Sequence, residues 1–229
     1  MKTIVTMDMA ARIAADYGVK TVDVLTGFKF IGDQIARLEA EGRENDYILG
    51  FEESYGYLSG SYVRDKDAVD GAFLICEMAA YYRSKGMGLL EVLEGLYEKY
   101  GFCLNTLHSY EFEGMEGFEK MKGIMNRLHT MASRIAEGEA VCIGGRKTEA
   151  VEDYLSGTIS RADKTTEPIA GLPSSDVLKF RLAGNASVVV RPSGTEPKLK
   201  LYISVSAEDK AKAQAEEEKI TAQMEEWFL

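Results

Sequence analysis

The sequence predicts an α/β protein of two units, residues 1–101 and 102–229, and two observations carry that reading. Over the first hundred residues, short apolar runs alternate with apolar stripes at helical spacing, the pattern of strand–helix units. Beyond Phe102 the order changes to one long helical stretch, several strand-length runs separated by turn residues, and a final helical stretch.

Each element has its own signal. Thr3–Thr6 reads as a strand, and Asp8 is placed to cap a helix that carries Ala10, Ile13, Ala14 and Tyr17 and stops at Gly18. Lys20–Leu25 returns to strand. The turn Thr26-Gly27-Phe28-Lys29 leads into a helix marked by Ile31, Ile35 and Leu38, which ends at Gly42 before a strand over Tyr47–Phe51. From Lys66 to Lys85, Val69, Phe73, Cys76 and Ala80 form one helical stripe, and Gly88 to Tyr100 gives a further helix with Leu90, Leu93 and Leu96. In the second unit, Leu104–Phe112 reads as a strand and roughly Glu116–Ile135 as a helix. Strands follow at Ala140–Ile143, Asp176–Leu182, Ala186–Arg191 and Lys198–Val205, with Leu182-Ala183-Gly184-Asn185 as a hairpin turn because Gly and Asn tolerate positive φ. Thr165–Ser175, rich in Pro, Gly and Ser, reads as a loop. Ser206-Ala207-Glu208-Asp209 resembles a capping box, and Ile220, Met224, Trp227 and Phe228 then share a face that reads as core packing.

Composition narrows the function classes. A chain of 229 residues with 45% hydrophobic content can bury a core. Its net charge is −10 and neither half is basic, which argues against a nucleic-acid partner and requires any anion site to be local. Cys76, Cys103 and Cys142 are odd in number, lack CxxC spacing and sit in apolar contexts, which predicts reduced core thiols and a cytoplasmic protein. No basic-then-apolar leader and no apolar run approaching ~18 residues occurs, so neither a signal peptide nor a membrane partner is expected. His108 and His129 lack a second ligand at metal spacing, and no metal site is predicted.

Two loops carry chemistry. Arg191-Pro192-Ser193-Gly194-Thr195-Glu196-Pro197-Lys198 lies between two apolar runs and gathers a guanidinium, two hydroxyls, an ammonium and backbone N–H groups freed by Gly194. That set suits a phosphate dianion, although an ordinary β-turn with a charged rim uses the same residue types. Gly50-Phe51-Glu52-Glu53-Ser54-Tyr55-Gly56-Tyr57 places paired carboxylates and a hydroxyl between glycines, an acceptor-rich cluster suited to sugar hydroxyls; solvated loop carboxylates are the plainer reading.

Taken together, in this order and spacing, the two loops resemble those of the α-D-phosphohexomutase family, the phosphoglucomutases and phosphomannomutases, over nearly the whole chain. The resemblance implies part of a mixed α/β third domain that holds the sugar, followed by a small α+β fourth domain, an antiparallel sheet backed by two helices, that holds the phosphate not reacting. It assigns Glu52 and Ser54 to sugar hydroxyls, with Glu53 orienting the loop, and Thr26, Gly27, Lys29 and Arg64 to the substrate. It assigns Lys66, within Val63-Arg64-Asp65-Lys66-Asp67, to proton transfer or phosphate contact, and Arg191, Ser193, Gly194, Thr195 and Lys198 to phosphate. Phe51 stands where many members carry glycine.

The family's phosphoserine loop, of Thr-Ala-Ser-His-Asn-Pro type, and its Asp-Gly-Asp-x-Asp-Arg magnesium loop do not occur in this sequence. The resemblance therefore implies a C-terminal part of a mutase, inactive by itself and without a cofactor of its own. Mg2+ and glucose 1,6-bisphosphate are expected for the complete enzyme, and a hexose phosphate is the expected substrate. Glucose, mannose and pentose phosphates remain alternatives, as does a non-catalytic phosphosugar-binding module. A unit lacking its opening strand and helix is also expected to self-associate through the edge left bare.

Overall fold

The computed structural model describes residues 1–194 and 196–228. They form two compact units, Met1–Tyr100 and Gly101–Leu229. In the first, β1 (Lys2–Thr3), α1 (Met9–Asp16), β2 (Asp23–Val24), α2 (Phe28–Ala40), β3 (Gly50–Phe51), β4 (Tyr57–Leu58), α3 (Ala68–Ser84) and α4 (Leu89–Tyr100) follow in order. The sheet runs β2-β1-β3-β4. β1 is parallel to β2 and β3 because helices return the chain between them, and β3–β4 is an antiparallel hairpin. Ile4, Val24, Leu25, Phe28, Ile31, Ile35 and Leu58 are buried in this unit.

Lys2 is buried in the central strand at 1% exposure. Its ammonium lies 3.2 Å from Asp8 and 3.1 Å from Asp23, and donates to the Thr6 carbonyl at 3.0 Å. This corrects the expected cap of α1: the Asp8 carboxylate makes no capping bond and faces Lys2 instead, because a buried ammonium needs compensation more than a half-exposed helix end does. Asp67 does cap α3, accepting from the Val69 and Asp70 N–H groups at 2.8 and 3.3 Å.

The stripe expected to seat α3 in the core faces outward. Val69, Phe73, Cys76 and Ala80 are all exposed, and Gly71 is the buried residue of the helix. Leu90 and Leu93 of α4 are exposed as well. α3 is apolar on every side, so periodicity could not tell which stripe packs inward; a helix of this kind is built to be covered all round. The expected core thiols are corrected with it, since only Cys103 is buried while Cys76 and Cys142 are exposed.

The second unit comprises β5 (Phe102–Glu111), α5 (Gly114–Ala136), β6 (Cys142–Ile143), β7 (Arg146–Asp153), β8 (Thr158–Arg161), β9 (Thr166–Pro168), β10 (Leu178–Leu182), β11 (Ala186–Pro192), β12 (Lys198–Ala207) and α6 (Lys210–Phe228). Its antiparallel sheet runs β5-β12-β11-β10-β7-β8-β9, with β6 paired to β7. α5 and α6 supply Ile124, Leu128, Ile220 and Met224 to a core whose sheet side is Phe180, Val188, Val190, Leu201 and Ile203. The hairpin turn forms as expected, with Gly184 at φ 77° and Asn185 at φ 56°. α6 starts later than expected: Ser206 still belongs to β12, and Asp209 is the residue that accepts from the Lys212 N–H at 2.8 Å. Three strands went unread in the sequence, and β9 lies inside the stretch expected to be a loop. β7 hides its strand signal because Glu152, buried at 3% exposure, replaces an apolar residue and is satisfied by Arg181 and the Tyr154 hydroxyl.

His129 on α5 stands between two carboxylates, 3.3 Å from Asp153 and 2.8 Å from Asp176. The Asp153 and then the Asp176 hydrogen bonds push its pKa up to about 9. A raised folded-state pKa stabilises below the unfolded value of about 6.5 and loses that stabilisation as pH rises toward the folded value. Thermal melting of the second unit is therefore expected to fall between about pH 6.5 and pH 9, and His129→Gln to flatten the profile in that window. A wild-type profile already flat there would refute this. Among the described residues no helix is long and apolar enough to cross a membrane.

Candidate functional site

The parallel β1, β2 and β3 bring their carboxyl ends to one edge of the first sheet, the edge at which open α/β sheets bind ligands. Thr26-Gly27 follows β2 there, and the Glu52–Gly56 turn follows β3. Gly27 precedes α2 at φ 116°, a conformation costly for a side chain. Thr26 is half-buried, while Lys29 is exposed with its ammonium 4.9 Å from the Phe30 ring centre.

The Glu52–Gly56 turn closes when the Glu52 N–H donates to the Gly56 carbonyl at 3.0 Å. Glu52 is buried at 9% exposure, whereas Ser54 and Tyr55 are exposed. Glu53 reaches back to β1, where the Thr3 hydroxyl donates to its carboxylate at 2.7 Å and also bonds the Thr6 hydroxyl at 2.8 Å. The loop is thus fastened to the central strand. A methyl group on Gly56 would lie 2.6 Å from Glu52 Oε1 and 2.9 Å from Lys66 Cδ, so this glycine lets the carboxylate and the lysine stem converge on one spot.

The segment that carries Lys66 is pinned elsewhere. The Arg64 carbonyl would lie 2.3 Å from a Cβ on Gly32, so α2 accepts this backbone only because it carries glycine there. The Arg64 guanidinium pairs with Glu39 and donates to the Ser61 carbonyl at 2.5 Å, turned to the protein itself. Lys66 keeps its ammonium at 3.2 Å from Asp65. The Asp65 carboxyl is held below its ordinary value, first by the Lys66 backbone N–H and then by the Lys66 ammonium.

In the second unit the phosphate-loop candidate is the β11–β12 connection. The Ser193 N–H donates to the Lys198 carbonyl at 2.7 Å. Arg191 and Ser193 are half-buried, and Thr195 lies outside the described residues. Gly194 does not adopt positive φ and has open space where a Cβ would point, so neither backbone nor packing within this chain demands glycine there. The Lys198 ammonium lies 3.0 Å from Glu111 and 3.2 Å from Glu196. Sequence reading missed Lys200, which sits directly across from Arg191 in the β11–β12 register. The alternation Lys198-Leu199-Lys200-Leu201 was the available signal.

Comparison with known proteins agrees with both units. Residues 1–100 match the α/β/α domain III of phosphoglucomutase/phosphomannomutase, and residues 142–221 match its C-terminal domain. The chain is 37% identical over 205 residues to the phosphoglucomutase of Staphylococcus aureus strain bovine RF122 / ET3-1, and 38% identical over 209 residues to that of strain MRSA252. These alignments cover 90% and 91% of this chain but 35% and 36% of those proteins, so the chain spans about a third of the length of the curated relatives it matches. Among solved structures, the open form of pp63/parafusin, a phosphoglucomutase from Paramecium, superposes with a TM-score of 0.67 at 19% identity, covering 99% of this chain and 37% of that one. Both units are therefore domains of one family. The chain belongs to the phosphoglucomutase/phosphomannomutase family, of which it carries domains III and IV.

Proposed function

We propose that this chain is the substrate-recognising part of a phosphoglucomutase-type enzyme that interconverts hexose 1-phosphate and hexose 6-phosphate through a phosphoserine and a bisphosphate intermediate. The supporting observation is the convergence of Glu52 and Lys66 over Gly56 beside a loop held to the central strand by Glu53. Glu52 and Ser54 hold ring hydroxyls, Lys66 meets a proton or a phosphate oxygen, and Arg191, with Lys200, Ser193 and Thr195, grips the phosphate away from the reaction.

The Mg2+ expected for the complete enzyme does not fit the residues here: among those described, no group of three His, Cys, Asp or Glu side chains could hold a metal ion. No step runs through it. With neither a phosphoserine loop nor a magnesium loop in the sequence, the chain binds hexose phosphate without turning it over, in the reducing setting of the cytoplasm. Calorimetry with glucose 1-phosphate, alongside a coupled assay for glucose 6-phosphate, tests this. Turnover free of contamination would overturn the inactivity, and absence of binding would overturn the function.

We further propose that a second copy covers the exposed face of α3. Across a two-fold axis between Cys76 and Glu77, antiparallel α3 helices would set Phe73 of each against Ala80 of the other, large against small. Light scattering is expected to give a dimer for the wild type and a monomer for Phe73→Asp; a monomeric wild type would refute it.

A further inference from the structure

We propose that Tyr55 is a sugar-stacking residue that sets the specificity of the carboxylate loop, an inference that rests on the function proposed above. Tyr55 adopts φ 65°, a left-handed conformation that strains a residue bearing a side chain. Among the described residues two other non-glycine positions share it, Lys164 and Asn185, each in a short connection between neighbouring strands. Asn is among the residues suited to that conformation, whereas a bulky aromatic is not.

The turn holds a glycine one position later that could have taken this conformation without cost. Gly56 is spent instead on the close approach of Glu52 and Lys66. Local folding therefore gains nothing from an aromatic at position 55. Burial gives no reason either, since the ring is 86% exposed. Among the described residues the hydroxyl makes no hydrogen bond.

What the position does provide is an apolar plane beside polar groups already fixed in space. Glu52 is buried against Gly56, Glu53 is tied to Thr3 at 2.7 Å, and Ser54, the residue before the tyrosine, is exposed. A pyranose has the matching chemistry. Its equatorial hydroxyls donate sideways to carboxylates, while its C–H groups form an apolar face that lies on an aromatic ring; an aromatic wall with a few placed acceptors is the usual make-up of such a site. A ring with all its hydroxyls equatorial presents an unbroken face. An axial hydroxyl at C2 interrupts it, so the stack favours a gluco over a manno configuration.

Calorimetry on the whole chain separates this role from a structural one, using glucose 1-phosphate, mannose 1-phosphate and inorganic phosphate against Tyr55→Phe, Tyr55→Ala and Tyr55→Gly. Tyr55→Phe is expected to bind glucose 1-phosphate within about twofold of the wild type. Tyr55→Ala and Tyr55→Gly are expected to lose about 3- to 10-fold for glucose 1-phosphate, less for mannose 1-phosphate, and nothing for inorganic phosphate. Tyr55→Gly is also expected to melt at or above the wild-type temperature, because it releases the strained φ. Full glucose 1-phosphate affinity in Tyr55→Gly, or an equal loss for inorganic phosphate, would overturn the stacking role alone. A wild type that binds no glucose 1-phosphate would overturn the functional reading beneath it.

Discussion

Lys2→Met is expected to destabilise the first unit by about 3 kcal/mol, toward the low end of the range for removing one partner of a buried ion pair. The methionine keeps the length of the side chain, so the loss is electrostatic rather than a cavity. Asp8 and Asp23, each within 3.2 Å of the ammonium, would lose that cation, and the Thr6 carbonyl would lose its donor. Both carboxylates are about a third exposed, and water would take up part of the penalty. The single tryptophan, Trp227, lies in the second unit and provides an internal control. Under urea, the helical signal from the first unit should be lost at lower concentration while the Trp227 fluorescence transition stays in place. Coincident transitions shifted together, or no shift, would show that Lys2 does not hold this sheet.

Arg191→Ala is expected to weaken glucose 1-phosphate and inorganic phosphate alike, by about 1.5–3 kcal/mol, the loss of a charge-assisted hydrogen bond. The instructive comparison is Lys198→Ala. Its ammonium lies between Glu111 and Glu196, which already offset part of its charge, so its removal is expected to cost an amount near the lower end of that range. Calorimetry at two salt concentrations would show both effects. Unchanged affinity in Arg191→Ala would mean that the hairpin presents a different face to the anion.

Both loops were legible because glycine, proline and charge cluster there for local reasons. The hairpin turn at Gly184-Asn185 and the core face of α6 were legible for the same kind of reason. What the sequence hid depended on partners far along the chain. Thr3 gives no sign that its hydroxyl will fix Glu53, 50 residues away, and Lys2 looks like a surface lysine until two aspartates surround it. β7 escaped notice because Glu152 is buried as an ion pair, a state that alternation of apolar residues cannot reveal. The stripe on α3 was read correctly as helical and wrongly as inward, since its period fixes the helix and not its neighbours.

The central place of β1 has a consequence for the order of assembly. It is the earliest strand of its sheet in sequence, yet it lies between two strands that come later, Lys2 pairing with both Asp23 and Phe51. During synthesis it must wait for about 50 residues before its second neighbour exists, and closing that span delays the contact relative to local helix formation. The Glu53–Thr3 bond depends on the same docking. The carboxylate loop therefore acquires its final geometry only as the sheet closes, so α1 and α2 can be formed while the sugar site is not. In a refolding chain, pulse-labelled amides of the Glu52–Gly56 turn should gain protection together with those of β1, after the helices.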